Sequence, residues 1–309
     1  MTTLTNKQRL EIEKRNIEAR IKAEQKANKE FKKKLQKQIN ALLIDIKALG
    51  LDLVKDNHIQ YKELLNKTDS NTLLIYRNRL DDIAFDKELL DEAEKQGFNY
   101  KVNKNNSKSD VLKAIITIHV ISIVALEKKQ VDKETLDRLK QEKEITKLLA
   151  LQHNLDTSSK LAKEIIKSYG KVTSTTKWKE TGFSDRLWVN NKEFRDKIYH
   201  SVTKMILRNQ KPDRFAKDLI KFSKLAEKNA YNAARGLLLN EVGNALTLTQ
   251  GVMFANNGFE KYQYVCEPTA CGLCIPLDGQ IFNLKDMIGG VNAPQIHPYC
   301  KCSIIPYED

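Results

Sequence analysis

The sequence predicts a mainly α-helical protein with a long basic N-terminal helix and a small α+β subdomain, stapled by zinc, at its C-terminal end. Residues 6–48 contain neither glycine nor proline, so we expect one long helix there. Apolar residues then recur at helical spacing as far as residue 256. Beyond residue 258 the apolar period becomes that of short strands, and all five cysteines lie in this last part.

The N-terminal helix carries much of the positive charge. Residues 1–50 have a net charge of +7, against +13 for the whole chain. The lysines that we assign to nucleic-acid binding are Lys26, Lys29, Lys32, Lys33, Lys34 and Lys37. This charge favours a polyanionic partner, and double-stranded DNA is the one we expect. A lysine-rich helix that is merely solvated is the alternative. Sparse apolar positions predict that the helix projects, pairs with another helix or orders on a partner.

Residues 51–175 are predicted to form a helical region with no catalytic constellation. A break is expected at Gln96-Gly97, and Asp110 can cap the helix that follows the next polar loop. The most apolar run, Val111–Leu126, is shorter than the roughly 20 residues that a membrane span needs, so a buried helix is predicted and no membrane partner is expected. A separate charged helix should follow, and residues 171–182 have the composition of a linker.

The segment before the cysteines is also predicted to be helical. Ser184 or Asp185 can cap one helix, and Asn191 can cap the next. A turn at residues 211–213 should lead into a short helix, and a long helix should run over residues 224–254. Small residues on the long helix would allow another helix to approach closely.

The cysteine region has the spacing of a metal site. Reduced to its pattern it is C-x2-C, twenty-two residues, then H-x2-C-x-C. The candidate ligands are Cys271, Cys274, His297, Cys300 and Cys302. Thiolate and imidazole donors suit zinc better than calcium or magnesium. Whether His297 or Cys302 joins Cys300 as a ligand stays open, because the spacing of the motif does not decide between them. Free thiols or disulfides are the alternative.

The predicted strands give a physical reason for a structural ion. They cover residues 262–265, 280–282 and 303–305, and they contain few large apolar side chains. Small domains of this kind need a metal or another cross-link to hold together. An odd number of cysteines and the lack of an apolar leader after Met1 favour reduced thiols. A catalytic zinc is disfavoured, since Asp278 is the only candidate base in the loop.

An ordered set of motifs covers residues 176–309. It comprises Gly182-Phe183-x2-Arg186 leading to Trp188, then Arg235 and Glu241 on the long helix, Cys271-x2-Cys274-x2-Leu277-Asp278-Gly279, and His297-Pro298-x-Cys300-Lys301-Cys302. The set resembles the C-terminal domain of the phage Mu F-like minor head proteins, also called the phage head morphogenesis family. Two positions depart from the family: Asn240 stands where threonine is usual, and Cys266 is not expected. We expect Trp188 to anchor the core, and Arg235 and Glu241 to pack against the cysteine subdomain, with ordinary surface charge as the alternative for these two.

The resemblance implies a minor head protein of a tailed phage. Such proteins enter the capsid during assembly in the host cytoplasm, beside the portal protein and the capsid or scaffold proteins, and some leave with the genome. The resemblance implies no catalytic activity and no small-molecule substrate. The predicted organisation is a basic helical arm (1–50), a helical region (51–175) and a Mu F-like domain (176–309), whose metal subdomain covers residues 259–309.

Two other functions fit parts of the sequence. A metal-dependent nuclease delivered with the phage genome would need clustered carboxylates or a further histidine beside the metal, and the cysteine region offers neither. A zinc-ribbon regulator that binds DNA would use the cysteine region itself. Residues 251–309 carry a net charge of −3, which would repel phosphate.

Overall fold

The computed structural model describes residues 4–55, 57–83, 86–150 and 183–309. The described α-helices are α1 (Asn6–Asp52), α2 (Ser70–Asp81), α3 (Lys87–Lys95), α4 (Lys108–Ala150), α5 (Phe183–Leu207) and α6 (Pro212–Asn256). The described strands are β1 (Val54–Lys55), β2 (His58–Ile59), β3 (Lys261–Val265), β4 (Ile281–Asn283) and β5 (Ser303–Tyr307). The predicted mainly helical fold with a small C-terminal sheet is therefore confirmed.

The chain forms two compact units, and each is discontinuous in sequence. The first, here called the sheet unit, comprises the described residues of 1–29, 129–186 and 235–309. The second, the helical unit, comprises those of 30–128 and 187–234. The predicted segments 1–50, 51–175 and 176–309 follow chain order and stay predictions. The predicted linker, residues 171–182, lies outside the described residues.

The helical unit has a core of large apolar side chains. Phe31, Leu35 and Ile39 lie at helical spacing on α1 and pack in one cluster with Ile123 of α4. Helix α4 is apolar on nearly every side along residues 111–124, and this stretch is almost wholly buried. A helix that is apolar all round has to lie inside the protein.

Helix α4 also contains the one stretch of the described residues that could cross a membrane by length and composition. This stretch is Lys108–Val131, and 67% of its most apolar window is buried inside the protein. The core helix of a soluble protein passes the same test. The burial agrees with the buried helix that the sequence predicts.

Trp188 is a core anchor, as expected. It is 1% exposed, and its ring meets that of Phe98 edge to face at a centroid distance of 4.9 Å. In the same unit the buried carboxylate of Asp45 accepts hydrogen bonds from His119 and Arg79, each at 2.7 Å. His119 is thus a satisfied core histidine.

The helices of the structure are fewer and longer than predicted. Helix α4 runs on into its charged part without a break, and α5 does not stop at Asn191. That residue is buried within α5, where its amide donates to the Glu127 carboxylate at 2.7 Å and to the Leu187 carbonyl at 2.9 Å. Helix α6 is continuous from Pro212, with Pro at the first helical position. These helices contain no proline beyond their first turn, and α4 and α5 contain no glycine, so local sequence supplies no strong break.

The cap of α4 was also predicted at the wrong residue. Ser107 is the N-cap: its hydroxyl accepts the backbone N–H of Asp110 at 3.2 Å. The Asp110 carboxylate accepts the Ser107 backbone N–H at 3.1 Å. This reciprocal pair is a capping box with aspartate in place of glutamate, so Asp110 lies three residues inside the cap.

The sheet unit is built around β3. This central strand pairs antiparallel with β4 on one side, where Tyr262 lies opposite Phe282, and with β5 on the other, where Tyr264 lies opposite Ile304. The predicted strands are thus present within a residue or two of their expected bounds. Helix α6 leads into β3 through Gly258, whose positive φ of 76° ends the helix in a left-handed turn.

Candidate metal centre

The first cysteine pair lies on a tight turn after β3. The backbone N–H groups of Cys274 and Ile275 both donate to the Cys271 carbonyl at 3.0 Å, so the chain reverses within four residues. The backbone N–H groups of Leu273 and Cys274 point at the Cys271 sulfur and lower the pKa of that thiol. Backbone donors that favour a thiolate prepare this sulfur to bind a cation.

The second pair precedes β5 and faces the first. Cys300 and Cys302 are buried, and the sulfur of Cys300 lies 3.9 Å from that of Cys274. Two sets of donor atoms each come within 4.8 Å of one another: Cys271, Cys274 and His297 in one set, and Cys274, Cys300 and Cys302 in the other. The structure therefore brings all five predicted ligands into one cluster, in which Cys274 belongs to both sets. This cysteine-rich cluster could hold a metal ion.

Burial keeps the inner thiols neutral as long as no cation is near. Desolvation raises the pKa of Cys274 to about 12. The hydrogen bond with Cys302, followed by burial, raises the pKa of Cys300. A metal ion would displace these protons, because thiolate is the form that binds it. Four or more sulfur and nitrogen donors around a small space match the ligand preference of zinc and other soft divalent ions.

Asp278 has a structural contact. Its carboxylate accepts the backbone N–H of Cys266 at 2.8 Å and joins the end of β3 to the turn before Gly279. The only base that the sequence offers in this loop is thus used to shape the loop.

Helix α6 holds the segment that carries the second pair. Tyr299 has a positive φ of 68°, a conformation that costs free energy in a residue with a side chain. Three contacts from α6 fix it. Its backbone N–H donates to the Asn240 side chain at 3.3 Å, its ring lies 5.5 Å from the Arg235 guanidinium, and its hydroxyl lies over Gly236.

These contacts bear out the expected role of Arg235, and they show what the family departure at Asn240 does in this chain. The side chain of Glu241 lies outside the described residues. The small residues of α6 do allow a close approach. At Ala230 the neighbours are helices, since it lies in one cluster with Phe31 of α1 and Ile123 of α4. At Gly243 the neighbour is a loop, because a Cβ there would lie 1.6 Å from the Gln295 amide nitrogen.

Glu24 is a functional contact that the sequence reasoning missed. Its carboxylate is buried on α1, where it lies 3.4 Å from the Lys301 ammonium and 3.5 Å from the Arg235 guanidinium. One acidic group therefore serves both the cysteine segment and α6. Spacing could have revealed it, since Glu24 is seven residues from both Ile17 and Phe31 and so lies on the buried face.

The start of α1 packs against the sheet. Ile17 is 1% exposed and contacts Val265 and Ile305, on the sheet face opposite to Tyr262. Asn6 donates to the Glu308 carbonyl at 2.6 Å, and the Arg9 guanidinium pairs with the Glu308 carboxylate at 2.7 Å. Of the fates predicted for this helix, pairing is the one seen: residues 31–39 pack with Ile123 of helix α4, and Ile17 packs against the sheet.

The predicted DNA-binding lysines are all exposed. They are Lys26, Lys29, Lys32, Lys33, Lys34 and Lys37. None of them forms an ion pair with any residue in the described part of the chain, although the Lys32 ammonium lies 5.6 Å from the centre of the Tyr231 ring. At helical spacing, Lys26, Lys29, Lys33 and Lys37 lie on one face of α1, opposite the buried face of Ile17 and Glu24.

Cys266, which the sequence analysis set apart from the ligands, belongs to the cluster. It follows β3 directly and packs against Tyr264, Cys274 and Cys302. Its thiol donates to the Cys274 carbonyl at 3.2 Å, and burial raises its pKa to about 11. The alternation Tyr262, Tyr264, Cys266 along one strand face was the available signal.

The comparisons with known proteins give one match. Residues 196–305 match the family described as Phage Mu protein F like protein. No curated protein and no solved structure matches the chain. The predicted resemblance is therefore confirmed for the C-terminal domain. The match begins after Trp188 and contains Arg235, the cysteine turn and the His-Pro-x-Cys-Lys-Cys segment.

Proposed function

We propose that this chain, whose C-terminal domain belongs to the phage Mu F-like family, acts in the morphogenesis of a phage head. The family match over residues 196–305 is the observation that carries the proposal. In its finer form, the chain is a minor component inside the capsid, attached beside the portal protein and in contact with capsid or scaffold proteins. It enters the particle in the host cytoplasm and leaves the capsid with the DNA. This is a binding and assembly role, without catalysis.

The second part of the proposal is that a structural zinc ion stabilises the cysteine region. Cys271 and Cys274 would supply two ligands from one turn, and two of His297, Cys300 and Cys302 would complete a tetrahedron. The support is the chemistry of the donors and their separation of less than 4.8 Å within each set. When bound, the ion would cross-link the β3–β4 loop to the segment that enters β5.

The third part is that packaged DNA is a partner of α1. Support comes from the exposed lysines on one face of that helix, where 12 residues from Lys26 to Lys37 cover roughly 17 Å at 1.5 Å per residue. Half a turn of duplex DNA has this length, so several phosphates come within reach. The contact would be independent of base sequence, because lysine ammonium groups bind phosphate as point charges.

Purified particles test the role in the head. Mass spectrometry of virions should find the chain in few copies per particle, and phage that lack it should give fewer filled heads while tails form normally. The Cys274→Ala variant should enter particles less well than a control with Asn244→Ala on α6. Virions that lack the chain, or normal yields of infectious particles without it, would contradict the proposal.

A charge series tests the DNA contact. Replacing Lys26, Lys29 and Lys33 by Gln should weaken binding to any duplex and lower the slope of log affinity against log salt by about 3, at about 0.9 per phosphate contact. The control replaces Lys62, Lys87 and Lys95, which are equally exposed, by Gln. Fluorescence anisotropy at several salt concentrations measures both. Equal losses in the two triple variants would mean that net charge, and not this face, attracts DNA.

A further inference from the structure

Cys266 and Cys302 are neighbours across two strands. Strands β3 and β5 pair antiparallel up to Val265 and Ser303. Cys266 and Cys302 are the residues next to this last pair, and one more step in the same register would place them opposite each other. Both side chains belong to the cluster around Tyr264, and their thiols interact directly.

This placement meets the requirements of a disulfide. Residues directly opposite each other in an antiparallel pair have Cα atoms about 4.5–5.5 Å apart, and a disulfide needs about 4.4–6.8 Å. Directly opposite side chains also point to the same face of the sheet. A bond between the two sulfurs would therefore close without moving either strand.

We propose that Cys266 and Cys302 form a redox pair, and that the metal ion is held by Cys271, Cys274, His297 and Cys300. The ligand assignment rests on the proposed metal centre. The first three of these donors already form one set within 4.8 Å. Cys300 belongs with Cys274 and Cys302 to the second set, and we add it as the fourth ligand because its sulfur lies 3.9 Å from that of Cys274. This distance is close to the roughly 3.8 Å between two sulfurs that share a tetrahedral zinc at 2.3 Å.

The pair would react by thiol–disulfide exchange with a low-molecular-weight disulfide. Cys266 is half-buried and so accessible: its thiolate attacks one sulfur of the small disulfide, and the first small thiolate leaves. Cys302, which is 4% exposed, then attacks the Cys266 sulfur and releases the second. The two cysteines are oxidised and the small disulfide is reduced to two thiols, which take up the two protons.

A phage protein passes from a reducing to an oxidising environment, and this change favours formation of the disulfide. Host cytoplasm keeps thiols reduced, whereas disulfides persist on particles released into an oxidising medium. The pair would thus be open during assembly and closed in the released particle, and the metal ligands would be the same in both states.

Oxidation of the full-length, zinc-loaded chain tests the proposal. After incubation with oxidised glutathione, peptide mapping should find Cys266 linked to Cys302, a mass loss of two hydrogens, a higher melting temperature and one zinc still bound. The Cys302→Ser and Cys266→Ser variants should keep zinc at one ion per chain, whereas His297→Ala should lose most of it. Release of zinc on oxidation, or loss of zinc in Cys302→Ser with retention in His297→Ala, would overturn the assignment.

A fold control keeps the result interpretable. The double variant Cys266→Ser with Cys302→Ser should show the same circular dichroism as the unmodified chain, since neither residue would bind the ion. A disulfide between any other two cysteines would overturn the redox pair. A chain that forms the 266–302 link but never binds zinc would refute the proposed metal centre and leave the pair intact.

Discussion

The helical unit and the C-terminal tip, residues 259–309, are stabilised by different means. In the helical unit, α4 alone buries Val111, Ile115 and Ile116 completely, among large aliphatic neighbours. In the tip, Leu273 and Val291 are more than half exposed, and tyrosine rings and cysteine sulfurs make up half of the buried hydrophobic residues. The first region holds together mainly by hydrophobic burial. The tip is stabilised in addition by helix α1, which covers one face of its sheet, and, as we propose, by a metal ion between its loops.

The largest expected effect comes from removing the proposed ion. Chelation, or the Cys274→Ala substitution, should abolish amide-exchange protection in β3 and β5 and leave residues 111–124 of α4 protected. A structural zinc contributes on the order of 10 kcal/mol of apparent folding free energy in small domains. Hydrogen exchange followed by mass spectrometry separates the two regions in one experiment.

Unchanged amide-exchange protection of β3 and β5 in the metal-free chain would contradict this difference between the two regions. The packing of α1 and α6 would then be enough for the tip. Exposed Cys271 offers the milder variant: if the proposed zinc is present, Cys271→Ser should release it with less disturbance of the buried cluster than Cys274→Ala.

The second prediction concerns the stability that the packing of α1 gives to the tip. Ile17→Ala should destabilise the sheet unit by about 2–4 kcal/mol, since a buried aliphatic side chain against Val265 and Ile305 is replaced by a cavity. Exchange in β3 and β5 should rise. Ile44→Ala on the same helix is the matched control, because Ile44 is 65% exposed and should change stability by less than about 0.5 kcal/mol.

Equal exchange in the strands of both variants would show that the tip stands without α1. The same contacts explain why truncating the N-terminal arm is a poor test of DNA binding. Such a truncation would also uncover Val265 and Ile305.

The smallest effect lies in the helical unit and depends on pH. Burial raises the pKa of Glu127 from 4.5 to about 8, and the hydrogen bond from Asn191 opposes this only in part. Between these values the folded chain holds a proton that the unfolded chain has lost. The contribution of this group to stability is therefore fully present below about pH 4.5 and is lost as the pH rises to about 8.

Glu127→Gln removes this dependence because the amide stays neutral. The variant should be more stable than the unmodified chain at pH 8, by on the order of 2 kcal/mol, and nearly equal to it at pH 5. Thermal unfolding at both pH values measures the difference. A constant difference between pH 5 and 8 would mean that Glu127 does not titrate in this range.

Much of the fold follows from local pattern. The absence of glycine and proline predicts α1, the continuous apolar run predicts the buried part of α4, and alternation predicts the three strands of the tip. The joins between helices were less predictable. Asn191 has the chemistry of a cap, but in the structure its amide is used by Glu127, a partner 64 residues away that no local pattern reveals.

The candidate site could be predicted only as far as its motif reaches. Spacing predicted the five candidate ligands and the tight turn that carries Cys271 and Cys274. Spacing could not give the contacts of Cys266, which depend on the register between β3 and β5, or those of Glu24, whose partners Arg235 and Lys301 come from distant parts of the chain. Contacts between residues that are far apart along the chain are the part of the site that a single sequence does not predict.

The contact between Asn6 and Glu308 joins residues separated by 302 positions along the chain. A ribosome adds about 5–20 residues per second, so Asn6 is synthesised roughly 15–60 s before Glu308. During that interval the face with Ile17 has no sheet to cover it. The sheet unit consequently assembles only after β5 has been synthesised, and until then the exposed lysines of α1 favour the solubility of the uncovered helix.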